Sequence, residues 1–161
     1  MIVTDILMDA LLAAVAGIGF GAISFPPRRV FPYIAVLAAV GHALRFSLMN
    51  YLHIDIAIAS FGAALSIGTL SLWFGKINYC PMTVLYIPAL LPMIPGMYAY
   101  KTVFALIMFM QNLNEAVLAA EYLQAFLSNA IVTISTVFVL AVGATIPIFV
   151  FPKRAYSMTR R

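Results

Sequence analysis

The chain has 161 residues, 65% of them hydrophobic and only 9% charged, with a formal net charge of +4. Soluble domains are roughly 25% charged, and a water-soluble body of this size has too little interior to hide so much apolar side chain. With a mean hydropathy of +1.06, the composition points to an all-α integral membrane protein. Because no polar stretch is long enough for a separate soluble domain, residues 1–161 read as a single transmembrane domain.

A bilayer crossing takes about 20 mostly apolar residues, and five stretches fit: about 5–25, 30–49, 55–74, 83–110 and 122–150. The first stretch opens MIVTDILMDALLAAVAG, with Asp5 and Asp9 where a secretory leader carries Lys or Arg. It therefore reads as a retained span. Its acids sit at a helix N-terminus, where the dipole favours carboxylates, and they are also available as counter-charges for Arg45 or Lys101. Ala13, Gly17 and Gly21 recur every four residues, a face of small residues that lets a neighbouring helix approach.

FPPRRVFP ends the first span, since prolines stop helices and arginines do not sit in hydrocarbon. The second span carries GHALRF, with His42 and Arg45 three residues apart on one helical face. Two readings stand for each. Arg45 is about one turn from the predicted end of the span, placed either to snorkel to the outer rim or to meet substrate. His42 is deeper, and serves either as a helix-to-helix hydrogen-bonding group or as a proton-coupling one.

NYLHID leads into the third span, which opens at Asp55 and repeats the small-residue spacing at Ser60, Ala64 and Gly68. GKINYCP then leads to the fourth, which holds ALLPMIPGMYAY followed by Lys101. Pro92 and Pro95 each remove a backbone donor and clash with the preceding turn, and Gly96 loosens the same place. The span is expected to break from Pro92 to Gly96, with orphaned carbonyls before the break and free amides after it. A break of that kind is tolerated in a bilayer only where protein or a water-filled cavity supplies partners. Pro95 suits the start of a new half-helix, so the amides of Met97 to Ala99, with Lys101 one turn on, are expected to form an anion seat near the membrane centre. The plainer alternative is a proline kink with Lys101 snorkelling outward.

The acidic segment QNLNEAVLAAEYLQ is read as an exposed connection, with Glu115 and Glu121 close to the start of the last helix. The fifth span carries Asn129, Thr133, Thr136 and Gly143 on one face, read either as interhelical hydrogen bonding or as a polar wall along a path. The tail is FPKRAYSMTRR.

Basic residues cluster on the side facing the cytoplasm. Arg28 and Arg29 mark the first connection, Lys76 the third, and Lys153, Arg154, Arg160 and Arg161 the tail. The N-terminal end, NYLHID and the acidic segment lack Lys and Arg, so the expected topology puts the N-terminus outside and the C-terminus inside. Phe25, Phe31, Tyr33, Tyr51, Trp73, Phe74, Tyr79, Tyr122 and Phe151 fall near predicted span ends, as an interfacial aromatic belt does. The single cysteine, Cys80, excludes an internal disulfide and a multi-thiolate metal site. His42 and His53 lack partners at metal spacing, and no Gly-rich phosphate loop is present. These features count against an enzyme, a bound metal or cofactor, and a nucleotide-driven pump.

Four stretches carry a resemblance: Pro92, Pro95, Gly96 and Tyr100 in the fourth span, Gly41 to Arg45 (GHALR) in the second, Asn129 in the fifth, and Gly143 to Pro147 (GATIP). With the length and span order, they resemble the threonine/serine exporter (ThrE-type) family, in particular the small YjjB-like membrane subunit of its split form. Lys101 is not among the matching positions. The resemblance implies export of threonine and serine, or of succinate by a split pair, and a larger YjjP-like partner subunit. Should that partner also have five spans but start inside, the two halves would be oppositely oriented, as in inverted-repeat transporters.

The reading is therefore a subunit of a secondary transporter in the bacterial cytoplasmic (inner) membrane. It exports small carboxylate-bearing metabolites under an ion gradient, with a larger subunit or as a homo-oligomer. The candidate substrate-binding residues are Pro95, Gly96, Met97, Tyr100, Lys101, His42, Arg45, Asn129 and Thr133. The alternatives are a structural subunit whose partner holds the site, and a channel.

Overall fold

The computed structural model describes residues 2–156, without the side chains of Ile2, Arg154 and Tyr156. The basic tail residues Arg160 and Arg161 lie outside the described residues. Among those described there are helices and turns and no strand. In chain order the helices are α1 (Ile2–Ile23), α2 (Phe31–Tyr51), α3 (Ile56–Asn78), α4 (Thr83–Leu90), α5 (Gly96–Gln111), α6 (Ala116–Val150) and the short α7 (Pro152–Tyr156). Single 3-10 turns occupy Arg28–Val30 and Leu91–Met93. α1, α2, α3 and α6 are each long and apolar enough to cross a membrane, and α4 with α5 makes a fifth crossing if the pair counts as one.

The helix ends follow local chemistry. Asp55 caps α3, its Oδ2 accepting from the Ala57 amide at 2.9 Å, which satisfies one orphan donor of the first turn. Phe25, His53 and Tyr79 adopt positive φ (47°, 50° and 50°) just beyond α1, α2 and α3. A left-handed residue closes a helix C-terminus, and after Tyr79 the Cys80 amide returns to the Gly75 carbonyl at 3.1 Å. His53 thus serves the backbone as a turn residue.

α3 runs four residues past its expected end, to Asn78, and the largest difference from the sequence expectation lies at the start of the last long helix. AVLAAEYLQ is helical, so the last connection shrinks to Asn112–Glu115 and Glu121 lies within α6. Ala, Leu, Glu and Gln are strong helix formers, and the Glu115 carbonyl accepts the Ala119 amide at 2.9 Å. The resulting helix of 35 residues is about 52 Å long at 1.5 Å per residue. It exceeds a hydrocarbon core of about 30 Å, so it tilts or projects.

The chain forms two compact units, one of residues 2–93 and 139–156 and the other of residues 94–138 among those described. In the first, α2 is the hub: it packs on α1, α3 and α4, and Ile34, Leu37 and Ala38 are fully buried. Backbones approach closely there. A Cβ on Gly17 would lie 2.9 Å from the Ala38 Cβ, and one on Gly68 would lie 2.5 Å from the Ala144 carbonyl oxygen. The small-residue faces of the first and third spans are therefore helix contacts. The rest of α1 points apolar side chains outward, with Leu7, Leu11, Leu12 and Val15 exposed, as a lipid-facing or partner-facing helix does. The second unit contains α5 and the first part of α6. In it, Tyr100 and Phe104 stack along α5 with ring centroids 6.3 Å apart.

Candidate functional site

Ionisable side chains inside spans are costly and almost always turn towards protein. Here they do so at one place in the first unit. His42 Nδ1 hydrogen-bonds Asp9 Oδ2 at 3.2 Å, joining α2 to α1. One helical turn along α2, Arg45 Nη1 donates to the Met93 carbonyl at 2.6 Å. His42 is buried and Arg45 half-buried. His42 Nε2 is enclosed without a hydrogen-bond partner, while the Pro92 backbone carbonyl lies near enough to act on the ring.

The Arg45 contact follows from the proline pattern. In an unbroken helix the Met93 carbonyl would accept the amide four residues on, that of Met97. The helix instead ends at Leu90, makes one 3-10 turn and restarts at Gly96, so that carbonyl needs another donor. A guanidinium with five N–H groups supplies one. The head of Arg45 thus rests on protein, on the turn that follows α4. α2 also runs two residues past the predicted span end, to Tyr51, which sets Arg45 deeper.

The residues after the break lie in the second unit. Pro95 precedes α5, and its carbonyl accepts the amides of both Tyr98 and Ala99 at 3.1 Å, while the Gly96 amide donates to Ile94 at 2.8 Å. The expected row of free amides from Met97 to Ala99 is thereby reduced to Met97, because the tight turn at Pro95 closes the others internally. Met97, Tyr100 and Lys101 are exposed along α5, and a Cβ on Gly96 would meet nothing within 4 Å.

Of the two readings of Asn129 and Thr133, the interhelical bonds are not made. Asn129 Nδ2 donates to the Ala125 carbonyl at 2.7 Å and Thr133 Oγ1 to that of Asn129 at 2.8 Å, both within α6. Such back-bonding satisfies a polar side chain in an apolar setting. Thr136 is buried with its hydroxyl unpartnered. A cleft of about 410 Å³ at the basic end of the first unit is lined by Ser24, Phe25, Pro26, Pro27, Thr83, Val84, Ile87 and Pro88. None of the sequence-predicted site residues borders it.

Sequence reasoning placed His42 and Arg45 on one face and offered Asp9 to the helix dipole or as a counter-charge for Arg45 or Lys101, whereas its hydrogen bond goes to His42. The matching depths were legible. Asp9 is seven residues on from Ile2 and His42 nine before Tyr51, and in consecutive antiparallel helices those positions lie at similar distances from one end, about 10 and 14 Å at 1.5 Å per residue.

The profile of the family described as "Threonine/Serine exporter, ThrE" matches residues 9–150, from Asp9 to the end of α6. The chain is also similar to an uncharacterised protein of Haemophilus influenzae (strain ATCC 51907 / DSM 11121 / KW20 / Rd), 29% identical over 136 residues. That match takes in 84% of this chain and 46% of the relative, so the chain spans about half the relative's length. No solved structure matches it. Matched over residues 9–150 by this profile, and with four helices long and apolar enough to cross a membrane, the chain belongs to the threonine/serine exporter (ThrE) family and is a multi-pass membrane protein.

Proposed function

We propose that the chain is the small membrane subunit of a secondary exporter that moves threonine, serine or a dicarboxylate such as succinate out of the bacterial cytoplasm. An ion gradient drives it, and it works with a larger YjjP-like subunit or with further copies of itself. The N-terminus lies outside and the C-terminus inside, with α4 and α5 as one crossing interrupted at residues 91–95. The reading is of a transporter without enzymatic activity or a cofactor.

The observation that carries this reading is Arg45, held on the carbonyl that the helix break leaves open. Every cargo named bears a carboxylate, which sheds water to cross and needs a fixed cation in exchange. Guanidinium is the side chain best matched to carboxylate geometry, and a backbone carbonyl is a neutral partner that it can release. The exposed Lys101 on α5 is a second candidate cation. The basic connections at Arg28–Arg29 and Lys76 support the orientation.

Uptake of labelled threonine, serine and succinate into inverted vesicles tests the reading, with and without the larger subunit and an imposed gradient. Accumulation that requires this chain, falls steeply in Arg45→Gln and survives in Lys101→Ala supports it. Equal uptake in vesicles lacking the chain sinks it. Unchanged export by an assembled Arg45→Gln complex moves the cargo site to the partner.

A further inference from the structure

The cap on Met93 gives Arg45 a structural reason to be inside the bundle, but nothing comparable explains Asp9 and His42. Two apolar residues pack α1 on α2 without the desolvation cost of a carboxylate facing an imidazole. The ring is also left half-used. Nδ1 is taken by Asp9 Oδ2, while Nε2 is enclosed in protein with no partner on a residue only 8% exposed. With Asp9 ionised, Nδ1 carries the hydrogen and Nε2 is a bare lone pair. Three groups act on it: Asp9 from α1, Arg45 from its own helix, and the Pro92 carbonyl from the turn after α4. Among the described residues, no charged group of α3 or α4 adds to them.

We infer that His42 and Asp9 form a proton-loading site, in which His42 Nε2 takes up the proton. The step is a simple transfer. A proton leaves water on one side of the membrane, binds the Nε2 lone pair, and later returns to water on the other side, with no other bond made or broken. Loading converts a neutral imidazole beside a carboxylate into an imidazolium–carboxylate pair, and together with Arg45 the cluster passes from neutral to a single positive charge. The new Nε2–H points its demand at the Pro92 carbonyl. Arg45 already holds the next carbonyl, that of Met93, so proton occupancy decides whether the turn at Leu91–Met93 is held at one carbonyl or at two. Asp9, half-buried on α1, is the positioning group that fixes the tautomer.

This deepens the exporter reading by naming the residues that hold a proton within this chain, and it rests on that reading only for its use in transport. The first test therefore involves no cargo. The assembled complex is placed in lipid nanodiscs with 15N-labelled histidine rings, and the His42 resonances are identified by their loss in His42→Gln. The expected result is that Nε2 passes from unprotonated to protonated between about pH 8 and pH 5, with a midpoint displaced in Asp9→Asn and restored towards wild type in Asp9→Glu. A ring in one protonation state throughout that range overturns the inference. The second readout is the ratio of labelled-threonine flux with and without an imposed pH gradient. That ratio is expected to reach at least about tenfold in wild type and to collapse to about one in His42→Gln. Threonine exchange in wild type with a ratio near one overturns proton coupling and leaves the exporter standing. No exchange of threonine, serine or succinate overturns the exporter reading, and the ring titration still decides the proton site.

Discussion

Arg45 reaches across 48 residues of chain to place Nη1 2.6 Å from the carbonyl oxygen of Met93, the acceptor that the proline-broken helix leaves open. A guanidinium and a helix break are each expensive in a bilayer. Together they satisfy part of each other's demand, so the two features are best understood as one device. Arg45→Leu is expected to leave the carbonyl unpartnered and to cost about 1–3 kcal/mol. The cost is readable as a lower melting temperature of the assembled complex in nanodiscs. Arg45→Lys keeps a donor but not the planar fork, and is expected to recover part of that loss in stability while transport stays impaired. A melting temperature equal to wild type in Arg45→Leu would remove the capping role.

The glycines separate contact from spacing. A Cβ on Gly68 meets the Ala144 backbone at 2.5 Å, which can yield only if the helices part. One on Gly41 meets both Cδ1 and the inner Cγ1 of the fully buried Ile67, and one on Gly96 meets open space. Gly68→Ala and Gly41→Ala are each expected to cost about 1–3 kcal/mol as overpacking does, and Gly96→Ala to stay within about 0.5 kcal/mol. Thermal unfolding of the three variants checks the order. A Gly68→Ala protein as stable as Gly96→Ala would mean that α3 and α6 do not meet as described.

Much of this was legible because bilayers leave few choices. Spans were found from apolar length, and the start of the third was placed to within a residue because Asp55 is a cap as well as a boundary, while its helix runs four residues past the expected end, to Asn78. The small-residue spacing of Gly17 and Gly68 gave the contact faces, since only close backbones need them. The start of α6 was harder to see: Glu115 and Glu121 look like loop charges, yet Glu121 sits among strong helix formers that simply continue the helix. At the site, three-residue spacing put His42 and Arg45 on one face, but spacing within a helix says nothing about which neighbour arrives opposite. That is why the Asp9 bond to His42 had to be seen. The amides after Pro95 were overcounted for a similar reason: proline announces a break but not how tightly the chain turns there.

Orientation can be checked with two exposed turn residues. Phe25 is 93% exposed beyond α1, and His53 is exposed beyond α2 at the opposite end. In a Cys80→Ala background, a membrane-impermeant maleimide added to intact cells is expected to label His53→Cys and spare Phe25→Cys. Inverted vesicles should reverse the pattern. Both sites labelling from one side would break the alternation of basic and non-basic connections on which the topology stands.

Cys80 itself offers a test that depends on pH. It lies in the connection between α3 and α4, outside the long spans, and is only 5% exposed. Burial pushes its thiol above the ordinary cysteine range, and the positive charge of Arg29 pulls the other way without cancelling that effect. Alkylation needs the thiolate, and a raised value means less thiolate at any given pH. The rate–pH curve of the folded protein should therefore lie to the alkaline side of that for the denatured chain. Arg29→Gln removes the opposing charge and is expected to move the curve further in the same direction. A folded-state curve that coincides with the denatured one would show Cys80 open to water, and with it a looser packing of the α3–α4 turn against the basic connection than the structure describes.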